Sequence, residues 1–247
     1  MTTYTKEWFA AQVGTAQQSA ATLVPMILDF AKPTSVLDIG CGLGAWLAEF
    51  KTRGVTDVQG VDGDYIDVTS LRIPKSEFLA LDISQPVSLG RRFGLALCLE
   101  VGEHLPEAAA GTLVKSLTDH APIVAFSAAI PGQGGNHHIN EQWQSYWAAK
   151  FAARGYRAVD AFRGTIWNNP SVEWWYRQNL LMYATEETLQ ANPRLREIAD
   201  RTPTGVLDAV HPVLFGAAHE RAAHPGRAVA QYFYLGFRSM ARRMVGK

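Results

Sequence analysis

Cysteine is scarce in this 247-residue chain, with only Cys41 and Cys98 present. Each sits in an apolar or glycine-rich run, so the pair reads as free buried thiols in a reducing compartment rather than a disulfide framework. Net charge is also lacking, since 23 basic residues balance 23 acidic ones. A neutral total leaves no basic footprint for nucleic acid and points to a small or neutral ligand. No long uncharged apolar stretch occurs, and residues 1–10 show no charged segment leading into an apolar core. The expectation is therefore a cytoplasmic chain with neither signal peptide nor membrane span. Internal repeats, low-complexity tracts and linkers are missing too. With 47% hydrophobic and 19% charged residues, the composition supports a packed core and excludes disorder.

The hydrophobic rhythm alternates between two periods. Residues 15–30 repeat apolar side chains at helical spacing (Ala20, Leu23, Val24, Ile27, Leu28) and stop at Lys32–Pro33. Segments 35–39, 58–61, 78–83, 95–99 and 123–126 read as buried strands, with helices expected at 45–51 and 107–117. Beyond Pro131 a glycine-rich polar loop (132–140) leads into an aromatic helix at 141–154. Two further strands are expected at 156–162 and 180–184, and an amphipathic helix at 228–245. Strands alternating with helices imply right-handed crossovers and an α/β, doubly wound, mostly parallel seven-stranded sheet. We expect one domain over 1–247, with a core at about 33–186, an N-terminal helix, and a C-terminal helical extension over 187–247.

The chemistry concentrates at strand ends. The run Val36-Leu37-Asp38-Ile39-Gly40-Cys41-Gly42-Leu43-Gly44 is a strand that breaks into a glycine loop before a helix. Glycines permit a sharp turn and close approach of backbone to a ligand. Gly40-x-Gly42-x-x-Ala45 also satisfies a dinucleotide fingerprint, so the bare pattern leaves a nicotinamide enzyme open. Asp38, inside the strand end, is costly to bury unless it serves a ligand. Asp62 closes the second strand, where a carboxylate accepts hydrogen bonds from ribose hydroxyls. Leu81-Asp82-Ile83 closes the third with an acid placed for an adenine amino group. Asp62 and Asp82 are also compatible with plain helix caps, but three acids at three successive strand ends favour a nucleoside ligand.

These segments (VLDIGCGLG, GVDGD, LDIS and LCLEVGEHLP) resemble the successive motifs of class I S-adenosylmethionine-dependent methyltransferases of the Glu-Val-x-Glu-His-Leu-Pro subtype, over residues 35–184. The resemblance implies a Rossmann-like fold with S-adenosylmethionine as cofactor. It places Asp38, Gly40, Cys41, Gly42 and Gly44 against the methionine part, Asp62 with Gly63 at the ribose diol, and Asp82 with the Ile83 backbone at adenine. Glu100 would line the methionine end and His104 its rim. The segments GTAQQSA, SAAIPGQGGNHHINEQWQSYW and IWNNPSVEWWYRQN resemble a narrower group of small-molecule and glycan-modifying bacterial methyltransferases.

The 132–140 loop leaves the sheet at its carboxyl edge, where ligands bind in open α/β folds. It carries His137, His138 and Asn140, with Glu141 next. His138 aligns with the histidine of the group's Gly-x-His-x-Asn-Glu-Gln pattern. We expect it as the catalytic base with Glu141 beside it, substrate orientation or a purely structural role being the other readings. A metal held by His137, His138 and Glu141 is not expected, because no spaced acid pair supports it. Trp143 and Trp147 are spaced to share a helix face, which core packing also produces. Trp174, Trp175 and Tyr176 are flanked by Glu173, Arg177, Gln178 and Asn179, flat apolar faces beside polar groups that suit a sugar ring or a planar metabolite. The expected substrate-binding set is His137, Asn140, Trp143, Trp174, Trp175, Tyr176 and Asn179. The expected reaction is O-methylation of a small hydroxylated molecule such as a sugar, glycan precursor or secondary metabolite. N- or carboxyl-methylation, a nicotinamide oxidoreductase and a non-catalytic binding module are the competing readings, with no nucleic-acid or membrane partner and a homodimer left open.

Overall fold

A computed structural model describes residues 6–203 and 205–223; the expected 228–245 helix lies outside them. The chain divides into two compact units, Met1–Ala209 and Val210–Lys247. The first unit begins with helix α1 (Lys6–Ala31), followed by β1 (Ser35–Ile39), α2 (Ala45–Thr52), β2 (Asp57–Asp62), β3 (Phe78–Ala80), β4 (Leu95–Leu99), α3 (Ala110–His120) and β5 (Ile123–Ser127). It continues with α4 (Gln144–Ala152), β6 (Tyr156–Val159), α5 (Arg163–Ile166), α6 (Trp174–Asn179), β7 (Leu181–Thr185), α7 (Glu186–Ala191) and α8 (Pro193–Arg201). Within the second unit, α9 spans Pro212–Ala223.

One seven-stranded sheet runs in the order β3-β2-β1-β4-β5-β7-β6. Its first five strands are parallel, whereas β7 is antiparallel to both neighbours, β5 and β6. The order reverses between β1 and β4, so the loops leaving these two strands diverge and open a crevice at the carboxyl edge. The β1 and β4 residues are buried throughout, as expected for parallel strands covered on both faces. Alternation splits their side chains between two cores. Val36, Leu95, Leu97 and Leu99 join Leu23, Ile27, Leu47 and Phe50 under α1 and α2. Leu37, Ile39, Ala96 and Cys98 join Leu113, Leu117, Trp147 and Phe151 under α3 and α4. Cys41 and Cys98 are both free and buried.

Several boundaries move from the sequence reading. The strand expected at 78–83 ends at Ala80, so Leu81–Ile83 belongs to the loop beyond it. The aromatic helix starts at Gln144, which leaves Trp143 ahead of it, 39% exposed, while Trp147 is buried. The two indoles therefore do not share a face. Residues 107–109 form a 3-10 turn ahead of α3. Among the described residues no helix is long and apolar enough to cross a membrane.

Candidate active site

The glycine loop after β1 is shaped by backbone conformations that favour glycine. Gly40, Gly42 and Gly44 have φ of 85°, 54° and 78°. At Gly40 a Cβ would also lie 2.3 Å from a Val101 methyl, so the turn is closed to larger residues on two counts. Gly40 and Cys41 donate their N–H groups to the Val61 carbonyl at 2.8 and 3.2 Å, carrying the β1–β2 ladder into the loop. Asp62 then ties the loop down. Its Oδ2 accepts the Gly42 N–H at 2.7 Å, while Oδ1 accepts the Gly63 N–H at 2.7 Å and the Tyr65 hydroxyl at 2.5 Å.

Around this loop lies a cavity of about 710 Å³, lined at one side by Gly40, Cys41, Gly42, Asp62, Gly63 and Tyr65. Asp82 and Ile83 form another part of the wall, and Glu100 and His104 a third, with Trp46, Trp175 and Tyr176 opposite. Nine of the expected cofactor residues thus share one cavity. The other two lie outside its lining. Asp38 is buried beneath the loop, and Gly44 starts α2. Asp82 is exposed and accepts the Ser84 N–H and hydroxyl at 2.9 and 2.6 Å, which pull its carboxyl below the usual range.

The buried acids behave differently. Burial, reinforced by the nearby Asp62 charge, pushes Asp38 up to about 7. Burial also raises Asp62, against the three hydrogen bonds that favour its anion. Glu100 is raised by burial as well, opposed by bonds from Ser127, Asn179 and Gln133. Carboxylates held above their ordinary range around one cavity mark a site that gains when a positive or hydroxyl-bearing ligand enters.

Glu100 follows β4 with a left-handed φ of 56°, its N–H donating to the Ser127 carbonyl at 2.9 Å. Its carboxylate accepts Gln133 Nε2 at 3.1 Å and Asn179 Nδ2 at 3.2 Å. Gln178 Nε2 donates in turn to Gln133 Oε1 at 3.1 Å. Asn179, expected at the substrate, donates to Glu100 and also to Gln133 Oε1 at 3.0 Å. Gln133 and Gln178 were missed, because nothing in their spacing ties residues 45 apart to one acid.

Next to Glu100, the turn 102–104 meets the 131–141 loop. Ile139 and Asn140 donate their N–H groups to the Glu103 carbonyl at 2.9 and 3.1 Å, and the Asn140 side chain donates to the Gly102 carbonyl at 3.3 Å. Glu141 organises the loop from within. It accepts the Gly132 and Gly134 N–H groups at 2.8 and 2.6 Å and meets His138 Nδ1 at 2.9 Å. These contacts make Glu141 an anchor for the loop and for His138. Gly135 lies against the same imidazole, where a Cβ would stand 2.2 Å from Nε2. The His138 ring packs edge-on against His104 at 4.9 Å. His104 Nδ1 faces the His137 carbonyl at 3.4 Å, and burial holds His104 down at about 4. His137 itself is exposed and left-handed, with φ 62°.

Of the aromatics, Trp175 and Tyr176 reach the cavity, with Tyr176 edge-on to Trp46 at 5.3 Å. Trp143, Trp174, His137, His138, Asn140 and Glu141 are not among its lining residues. Tyr65 and Glu103 were passed over in the sequence. A tyrosine three residues past a strand-end acid is a faint signal, but the second acid of Glu100-Val-Gly-Glu103 was legible.

A seven-stranded sheet of this order, with a glycine loop after its first strand and an acid closing its second, defines a Rossmann-like enzyme that binds a nucleoside cofactor. The model of a methyltransferase domain matches residues 14–160. The chain belongs to that family and is an S-adenosylmethionine-dependent methyltransferase. No curated protein sequence matches it significantly. Among solved structures it is similar to DesVI from Streptomyces venezuelae, at 17% identity and TM-score 0.54 over 69% of this chain and 92% of that one. It is also similar to SAM-bound CalS10, an amino pentose methyltransferase from Micromonospora echinaspora, at 18% identity and TM-score 0.54 over 74% and 98%. The sugar N-methyltransferase KedS8 from a Streptoalloteichus species aligns at 15% identity and TM-score 0.52 over 69% and 86%. At such identities the likeness establishes the fold.

Proposed function

We propose that the chain methylates a hydroxyl of a small molecule, a sugar, glycan precursor or secondary metabolite. The cavity fits the cofactor on its own evidence: it has the volume of a small-molecule site, a wall formed partly by a glycine-rich loop, and acids where hydroxyls and a cationic end need acceptors. Asp62 and Gly63 would hold the ribose, Asp82 and Ile83 the adenine, and Gly40–Gly42 with Glu100 the methionine end. Bound there, S-adenosylmethionine would supply a sulfonium methyl to an acceptor oxygen, the new carbon–oxygen bond replacing the carbon–sulfur bond, whose pair stays on sulfur, while the hydroxyl proton leaves to a neighbouring base or water.

The observation that carries the hydroxyl reading is the cluster of Glu103, His104 and His138, of which His104 lines the cavity. A hydroxyl becomes a good nucleophile only when a neighbour takes or weakens its proton, whereas an ionised carboxylate or a neutral amine requires no such group. Trp175 and Tyr176 give the acceptor a flat wall. CalS10, an amino pentose methyltransferase, and KedS8, a sugar N-methyltransferase, support nitrogen methylation of a sugar as the second reading.

Calorimetry with adenosylhomocysteine, followed by a labelled-methyl screen of neutral sugars, amino sugars and phenols, tests this reading. The expected result is cofactor-product binding and label carried as an ether. Label found only on nitrogen would transfer the assignment to the second reading, and absent adenosylhomocysteine binding would refute both.

A further inference from the structure

Glu103 is the least comfortable side chain in the fold. It is fully buried, and the neighbouring Glu100 carboxyl adds to that burial in raising it. A buried carboxylate costs several kcal/mol to ionise unless something neutralises it. Among the described residues no well-formed side-chain hydrogen bond holds its oxygens and no Arg or Lys pairs with it. What does stand beside it is a pair of imidazoles: one donor atom from each of Glu103, His104 and His138 lies within 4.8 Å of the other two.

Both imidazoles are oriented from behind. His138 Nδ1 meets Glu141 Oε1 at 2.9 Å, and His104 Nδ1 faces the His137 carbonyl. An imidazole whose Nδ1–H donates to an oxygen carries its lone pair on Nε2, and a carboxylate or carbonyl in that position is what metal-bound histidines use. The ligand-bearing segments, one after β4 and one after β5, are stitched together by the Ile139 and Asn140 bonds to Glu103, so the trio is assembled before any ion arrives. A tetrahedral ion with bonds of about 2.0–2.2 Å sets its ligand atoms about 3.3–3.6 Å apart. The trio, whose atoms lie within 4.8 Å of one another, therefore closes on an ion with a contraction of at most about 1.5 Å.

We propose that Glu103, His104 and His138 form a binding site for a divalent first-row transition ion at the acceptor end of the cavity. Two imidazoles and one carboxylate are a borderline donor set that suits manganese, iron, cobalt, nickel or zinc and leaves coordination positions open. Since His104 also lines the cofactor cavity, those positions fall where an acceptor hydroxyl would lie. An ion held there would lower the pKa of an acceptor hydroxyl beside it, easing loss of its proton to solvent water. On this assignment His138 is a ligand rather than the proton acceptor expected from its motif. The role in catalysis rests on the methyl-transfer reading; the ion site itself does not.

Untagged, chelator-stripped protein titrated with Co²⁺ tests the site, using visible ligand-field absorption and calorimetry, with adenosylhomocysteine binding measured on the same samples. One equivalent of Co²⁺ should bind with a ligand-field spectrum. Glu103→Gln and His138→Asn should each weaken it by roughly 100-fold or more, first ligands being worth at least what their supporting groups are. Both variants should keep the parent's affinity for adenosylhomocysteine, which shows that they fold. Absence of saturable one-equivalent uptake by the parent, or uptake undiminished in both variants, overturns the site. Loss of adenosylhomocysteine binding alone would refute the methyl-transfer reading and leave the ion site standing.

Discussion

Asp38→Asn isolates the electrostatic strain at the base of the site. Asp38 lies inside β1 with 2% of its surface exposed, and burial plus the Asp62 charge raises it from 3.8 to about 7. A carboxyl with a raised folded pKa stays protonated in the folded protein while the unfolded chain has already ionised. Its contribution is fully favourable below pH about 4 and is lost as pH climbs through about 7. At about 1.4 kcal/mol for each tenfold change in proton affinity, the wild type should lose roughly 4 kcal/mol between those limits through this one group. Asparagine keeps the shape but cannot ionise, so the variant lacks that loss. Its amide adds a constant offset of about 1–3 kcal/mol if its N–H groups find no acceptor, which is why the pH-dependent part of the difference is the quantity to read. Urea unfolding of both proteins from pH 4 to 8 measures it. The stability of the variant minus that of the wild type should rise with pH by roughly 4 kcal/mol in total, whatever the offset. A difference independent of pH would mean that Asp38 is not strained. A difference that falls with rising pH would mean that its anion is stabilised by a partner, and the reasoning would fail outright.

Two further substitutions probe the loops. Asp62→Ala removes the acceptor for Gly42, Gly63 and Tyr65, so adenosylhomocysteine affinity should fall by about 2–4 kcal/mol in calorimetry. Because the same carboxylate braces the glycine loop, the melting temperature should fall too, where strand-end position alone suggests an undisturbed fold. Glu141→Ala should release the 131–141 loop, speeding amide exchange at Gly132 and Gly134 by roughly 10- to 100-fold, as expected for losing a hydrogen bond to a charged acceptor. The acceptor's Michaelis constant should rise while adenosylhomocysteine affinity holds, and unchanged exchange would contradict the anchoring role.

What could be read from the sequence was whatever depends on neighbours along the chain. Buried parallel strands appear as short apolar runs because both faces are covered, and a left-handed turn shows as glycine because other residues resist that φ. Gly40–Gly44, the acids at the ends of β1 and β2 and the acid after β3 were legible for those reasons, and so was the α/β class. Boundaries were less so: β3 ends at Ala80 because its pairing with β2 ends there, although apolar character runs on through Leu81 and Ile83. Only the tertiary structure could decide which acids are strained and which satisfied. That depends on contacts between segments far apart in sequence: Glu100 with Gln133 and Asn179, and Asp62 with the Gly42 amide. Such pairing has no period and no spacing. It arises when the sheet order brings the loops after β4 and β5 to one edge, where His138 lies beside His104 and Glu103.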